Sequence, residues 1–426
     1  MGENVRGEFF LKTGFAAFRS LKHRNYRLFF AGQGISLIGT WMQQVAMSWL
    51  VYRMTGSALL LGVVGFAGQI PTFLLSPFAG VLADRWNKRN ALVVTQALSM
   101  LQALALAALV LTKTVSVWQI ITLSILLGCV SAFDITTRQA FVPDMLEKKG
   151  DLGNAIALNS SLFNGARLIG PAIAGGLIAL MGEGMCFLLN GLSYIAVIAA
   201  LLMMKIESRP LQAEKEGFMS GISQGFSYVF SFKPMKSILL LLALISFAGV
   251  PYAVLMPMFA GKVLHGGPHT LGFLMAASGL GALGGTIFLA SRKDGLRLGM
   301  MTPVGGVVFG AGLMAFSRSH SLWLSLLLMS VTGFGIMVQM ASSNMVLQNI
   351  VEDGKRGRVM SFFAMAVMGT APFGSLLAGG LAGRIGAPAT LFICGLCCVL
   401  GSMVFSSRLP SLKEELEPIY GQREII

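Results

Sequence analysis

The sequence predicts an all-α membrane protein whose twelve transmembrane helices form two pseudo-symmetric six-helix bundles. Three observations carry this reading. Hydrophobic residues make up 55% of the 426 and charged ones only 12%, with a mean hydropathy of +0.74. A water-soluble domain carries about 25% charged residues, so too few polar side chains are present here to cover a surface facing water. Mostly apolar stretches of ~18 residues or more recur along the whole chain, each long enough to cross a hydrocarbon core of ~30 Å. The alternating ten-residue segments of a membrane β-barrel are missing. Finally, the second half of the sequence repeats the first.

The spans read at 27–50, 58–83, 91–111, 115–137, 155–181, 184–204, 235–261, 270–290, 298–317, 321–347, 359–383 and 388–407. Their connections collect positive charge on one side. Of 32 Lys and Arg, 26 fall in the tails and in the loops on the same side as the tails. Five fall on the other side (Arg53, Lys113, Lys262, Arg318 and Arg384), and Arg167 lies inside a span. The positive-inside rule then puts both termini in the cytoplasm. The same asymmetry explains the net charge of +14 as topology, so nucleic acid is not an expected partner. No cleavable signal peptide is expected, because Phe9 to Phe30 is basic and aromatic without a uniform apolar core. It reads as an interfacial helix, with Arg19, Lys22, Arg24 and Arg27 near lipid phosphates.

These boundaries give an amino-terminal cytoplasmic segment at 1–26, a six-helix bundle at 27–204, a polar linker at 205–234, a second bundle at 235–408 and a tail at 409–426. Within the linker, Phe218, Ile222, Phe226 and Val229 recur at helical spacing, which suits a helix lying along the membrane surface. The internal repeat is gapless. Residues 165–177 align on 369–381 at a constant offset of 204, matching Gly170 to Gly374, Gly175 to Gly379 and Gly182 to Gly386. Span five thus corresponds to span eleven. Two parallel halves of this kind place a binding site near the midplane between them.

After span two comes Gly80-Val-Leu-Ala-Asp84-Arg85-Trp-Asn-Lys88-Arg89. This resembles the signature loop of the major facilitator superfamily, Gly-x-x-x-Asp-Arg-x-Gly-basic-basic. Asn87 replaces the last Gly; Asn also tolerates left-handed backbone. The matching loop of the second half, Leu289-Ala-Ser291-Arg292-Lys293, lacks the Asp. The resemblance makes Gly80, Asp84, Arg85, Lys88 and Arg89 a conformational switch, with Asp84 facing the start of span eleven around Gly357 and Arg358. Asp134, the carboxylate well inside a span, needs a partner, with Arg85, Arg89 and Arg138 in reach. It reads either as a latch or as a proton-carrying site. Arg167 reads either as a binding group for an anionic or carbonyl-rich substrate or as a tie to carbonyls or Asp134; Asn164 lies one turn before it. Gly165, Gly170, Pro171 and Gly175 resemble, with looser spacing, the fifth-span glycine motif of the superfamily's antiporters.

The stretch from Ser20 to Gln33, with Gly39 to Ala46, Thr55 to Ser57 and Ala132 to Pro143, is similar to the superfamily branch of bacterial macrolide-efflux and enterobactin-efflux proteins. That resemblance covers nearly the whole chain. It implies export of amphipathic small molecules across the bacterial cytoplasmic membrane by alternating access, with protons as a second partner and the chain working as a monomer. A cavity among spans one, four, seven and ten follows by the same analogy, lined by Gln43, Gln44, Met47, Tyr252, Met256, Gln339 and Asn344. An uncoupled lipid or metabolite translocator stays open, since span one carries no carboxylate; a non-transporting scaffold fits less well. No cofactor, metal site or enzymatic machinery is expected: P-loop, His/Glu cluster and nucleophile elbow are missing, and Cys394-x-x-Cys397 reads as helix packing.

Overall fold

The computed structural model describes residues 18–83, 86–205, 228–291, 295–352 and 355–422. Asp84, Arg85, Arg292, Lys293 and most of the linker therefore lie outside the described residues. The first half comprises α1 (Arg24–Thr55), α2 (Ala58–Ala83), α3 (Lys88–Leu111), α4 (Val117–Phe141), α5 (Leu152–Met181) and α6 (Glu183–Met203). The second comprises α7 (Lys233–Ala248), α8 (Tyr252–Met258), α9 (Pro268–Ala290), α10 (Gly295–Phe316), α11 (Leu322–Ile350), α12 (Arg356–Ala364), α13 (Ala371–Ile385) and α14 (Ala387–Gln422).

Eleven helical segments among the described residues are long and apolar enough to cross a membrane. The pairs α7–α8 and α12–α13 each form one of these spans. The twelfth expected span, α1, is a 32-residue helix of lower apolarity; at 1.5 Å per residue it is still long enough to cross. Two features differ from the expected elements. The seventh span breaks between Ala248 and Tyr252, where Pro251 has no N–H to continue the ladder. The last helix runs through to Gln422 instead of ending at 407.

Local chemistry sets the turns. Ser116 and Gln119 form a reciprocal capping box at the start of α4, and the Asn87 side chain accepts the Asn90 N–H at the start of α3. Gly182 and Gly386 occupy the same turn of the repeat with φ of +81° and +85°, a conformation only glycine adopts readily.

Within the halves, α1 packs on α5 and α6, α3 on α6, α2 on α4, and α10 on α11 and α14. Two helix pairs make the main contacts between the halves, α5 with α9 and α2 with α13. The repeat exchanges these pairs, since α5 corresponds to α13. Both contacts are built on glycine. A Cβ on Gly62 would stand 2.6 Å from the Ser375 carbonyl oxygen and 3.1 Å from the Gly379 Cα. One on Gly175 would stand 3.0 Å from the Gly272 Cα. These positions lie toward the end carrying the Gly56, Gly182 and Gly386 turns, called here the far end. Toward the opposite, basic end, Gly153 and Gly357 meet nothing within 4 Å. There α12 packs chiefly on elements of its own half, so among the described residues the halves touch from the far end to the midplane and stand apart below it.

At the basic end the amino-terminal segment is bound to α5. Tyr26 Oη donates to the Ala155 carbonyl at 2.7 Å, and Ser20 Oγ to the Asp151 carbonyl at 2.9 Å. The Glu147 N–H donates to His23 Nδ1, leaving His23 Nε2 to donate to Asp151 at 3.0 Å. That hydrogen bond, with Arg19 nearby, holds the Asp151 carboxyl below the usual carboxylate range. A depressed carboxyl pKa stabilises above the unfolded value of ~3.9 and is lost as pH falls through the folded one. Amide exchange of Arg19–Lys22 should thus stay slow from pH 7 to 5 and accelerate only below about pH 4, whereas Asp151→Asn should accelerate it at neutral pH. A Gly62→Val substitution should separate the halves at the far end at a cost of about 1–3 kcal/mol. Pulsed electron resonance between labels at Lys113 and Arg318 should then read a longer distance.

Candidate functional site

Exposure along α5 and α12 outlines a cavity between the halves. The face of α5 that meets α9 at Pro171 and Gly175 continues toward the basic end through Asn164, Ser160, Ala157 and Gly153. The last three of these are exposed. On α12 and the π-turn after it, the repeat-related face presents Gly357, Ser361, Ala364 and Met368, all exposed. Faces sealed near the far end are thus open near the basic end. A third wall comes from α1, where Gln44 is exposed and Trp41 half-buried. Arg167 heads the α5 face at the depth of Trp41, its guanidinium 6.0 Å from the indole centroid. Phe163 meets the same indole edge-on at 5.6 Å.

The other expected lining residues divide. Gln43 is buried inside the first half, donating to Gln102 at 3.0 Å and accepting from Asn190 at 2.8 Å. Gln339 is fully buried and donates to Ser343 at 3.3 Å. Tyr252 is buried with its hydroxyl 2.8 Å from Ser278 Oγ, and Met256 is fully buried. Met47 is half-buried, and so is Asn344, which accepts from Gln348. Asn164 donates to the Ser160 carbonyl at 2.9 Å and leaves Oδ1 without a hydrogen bond. Of the glycine motif, Gly170 lies under Trp41 and Gly175 against α9, while Gly165 faces open space.

At the basic end of the first half, Asp134, Lys88 and Arg89 are tied to groups of that half. Asp134, with a side chain 8% exposed, pairs with Arg138 one turn along α4. It also accepts from Gln96 Nε2 at 2.6 Å and Thr95 Oγ1 at 3.1 Å, both on α3. Lys88 donates to Asp144 at 2.9 Å and to the Ala140 carbonyl at 3.0 Å. Arg89 donates to the Leu201 and Leu202 carbonyls at 2.7 and 2.6 Å, where cations favour a helix C-terminus. Gly80 sits beside Thr136 of α4; Asp84 and Arg85 lie outside the described residues. Among the described residues no group of three His, Cys, Asp or Glu could hold a metal, and all five cysteines are free thiols.

Sequence reasoning missed a cavity of about 710 Å³ on the side of the first half, between α3 and α4. Trp86 and Phe133 stack at its edge, and Val94, Leu98, Cys129 and Val130 line it. Its walls are ordinary apolar span residues, so only the separation of two helices reveals it.

The comparisons with known proteins decide the family. Residues 14–422 match the transmembrane secretion effector family, MFS_3. The chain belongs to that family. It is a major facilitator transporter and not an enzyme. It is 29% identical to the staphyloferrin A transporter of Staphylococcus aureus, over 92% of this chain and 98% of the relative. It is 27% identical to the multidrug efflux pump Tap of Mycolicibacterium fortuitum, over 90% and 93%, and 21% identical to macrolide efflux protein A of Streptococcus pyogenes, over 88% and 95%. Among solved structures, a bacterial homologue of the human lysosomal transporter Spinster, in an inward-facing and unoccupied conformation, superposes with a TM-score of 0.71 at 13% identity. That match covers 92% of this chain and 98% of the other. The nucleoside transporter NupG, as a point mutant, gives 0.70 at 15% identity, over 91% and 99%. These two likenesses establish the fold.

Removing one member of a buried ion pair strands the other. Asp134→Ala should therefore cost about 3–5 kcal/mol, read as a lower unfolding midpoint of the purified protein in detergent. The double change Asp134→Ala with Arg138→Ala should recover part of that loss.

Proposed function

We propose that the protein exports amphipathic small molecules across the bacterial cytoplasmic membrane by alternating access, driven by inward proton flow, with both termini and the basic end in the cytoplasm. One observation carries the reading: among the described residues, the halves are sealed from the far end to the midplane and apart toward the basic end. On this orientation the cavity opens to the cytoplasm, where an exporter collects its cargo. Relatives named for a siderophore, for multidrug efflux and for macrolides support a broad class of small molecules. The cavity's own chemistry fits amphipathic members of that class, because Trp41, Phe163 and Met368 offer apolar contact beside Gln44 and Arg167. Since both walls come from one chain, a monomer suffices.

For the proton, Asp134 is the acidic group held within a span. Protonation would release Arg138 and loosen the basic end of the first half, where Lys88, Arg89, Asp84 and Arg85 make up the switch. A second reading, an uncoupled translocator, is favoured by Asp134's engagement with Arg138 and α3 away from the cavity walls.

The test is proton movement in everted vesicles on adding macrolides, catechol siderophores or lysolipids. Substrate-evoked proton release in wild type that Asp134→Asn loses is the expected result. Transport without any proton signal would establish the uncoupled reading and leave Asp134 a latch.

A further inference from the structure

Arg167 lies about halfway along a span, where a cation is costly unless partnered. Among the described residues it makes neither an ion pair nor a hydrogen bond; its one neighbour of note is the Trp41 ring at 6.0 Å. Among the described residues, the two carboxylates buried in the first-half spans are committed elsewhere. Asp134 is held by Arg138, Gln96 and Thr95. Glu183, buried at the far end of α6, takes both its hydrogen bonds from Arg53 at 2.7 and 3.1 Å. The other ties open from sequence, to Asp134 or to backbone carbonyls, are not made by the Arg167 guanidinium among the described residues.

Position supplies the second argument. Arg167 stands two turns above Ser160 on the helix face that is open toward the basic end, with exposed Phe163 and Gln44 nearby. The repeat places Ala371 where the second half would need a matching cation, and that half answers instead with exposed Met365 and Met368, at 45% and 50%. Among the described residues, one wall of the cavity therefore bears a single uncompensated positive charge over an aromatic ring. The other bears soft apolar side chains, which adapt to varied shapes.

From this we infer that Arg167 is the binding group for the acidic end of an amphipathic anion, a carboxylate or comparable oxyanion, whose apolar body lies across Trp41, Phe163 and the methionines of the opposite wall. The inference rests on the cavity being the transport pathway proposed above, and it narrows the cargo from amphipathic molecules to amphipathic acids. A guanidinium suits this role because its fork of donors matches a carboxylate and its plane stacks on indole.

The probe pair is dansyl-aminoundecanoic acid and its methyl ester, which differ by one negative charge. Binding to the purified full-length protein is followed by energy transfer from tryptophan to dansyl. Wild type should bind the acid at least about tenfold more tightly than the ester. Arg167→Gln should abolish that preference by weakening the acid far more than the ester, and Arg167→Lys should keep part of it. Equal affinities in wild type would overturn the inference without recourse to any variant, and so would an acid preference that survives Arg167→Gln. Uptake of the ester into everted vesicles with the acid excluded would sink the anion site and leave export standing. Arg167-dependent binding of the acid without uptake of either probe would uphold the site and remove export.

Discussion

The arrangement of this protein depends on how closely two backbones approach inside a bilayer. Lipid tails are as apolar as leucine, so helices in a membrane gain little by hiding apolar surface from one another. What they gain comes from contact, and contact improves as side chains shrink. At Gly62 and Gly379, and at Gly175 and Gly272, the side chain is absent, so carbonyl oxygens and α-carbons of opposite halves meet directly. The repeat makes these one solution used twice, because α5 is to α9 as α13 is to α2. Such contacts carry no charge and few hydrogen bonds, so they close a passage without locking it.

The two halves divide the polar work unequally. Within the hydrocarbon the first half holds Asp134, Arg138 and Arg167, and buried amides link α1, α3 and α6 through Gln43, Gln102 and Asn190. The second half is held by hydroxyls: Thr302 with Ser342, Tyr252 with Ser278, and Gln339 with Ser343. Its cavity wall carries Met365 and Met368 among small residues. A charged, rigidly bonded wall facing a soft neutral one suits a cavity that fixes one end of its cargo and tolerates variety at the other.

Much of this was legible in the sequence because it is local or periodic. Span positions follow from apolar runs, and the pairing of halves from a repeat whose glycines at 182 and 386 turn the chain with nearly the same φ. Arg138 was one of three candidate partners for Asp134, and it is the one fixed by helical spacing alone, four residues on along the same face. Relations across helices were less legible. Gln43 and Gln44 are neighbours in sequence, yet one turns into its own bundle and the other toward the cavity. Only the presence of Gln102 and Asn190 opposite Gln43 decides which. Gln339 and Tyr252 face inward for the same reason, each finding a buried hydroxyl. The lateral groove between α3 and α4 depends on helix separation, which apolar composition does not encode.

The first half is bonded more strongly within itself than to the second. Lys88 with Asp144, Arg89 with the end of α6, Arg53 with Glu183, Asp134 with Gln96 and Thr95, and His23 with Asp151 all join elements of the first half. Between halves, among the described residues, the far end offers a single long hydrogen bond from Lys262 to the Gly56 carbonyl at 3.4 Å, beside the packing of Gly261 on Tyr52. Charge-assisted hydrogen bonds are roughly twice as strong as neutral ones, and buried ones cost more to break than van der Waals contact between glycines. Parting the halves therefore breaks fewer strong bonds than distorting the first half would. That hierarchy favours the rocking of one bundle against the other. It also defines the physical lever that Asp134 would pull. On the proposed coupling, protonating it would weaken a bond inside the first half, so its effect on the cavity would pass through that half's packing and not through direct contact with the cargo.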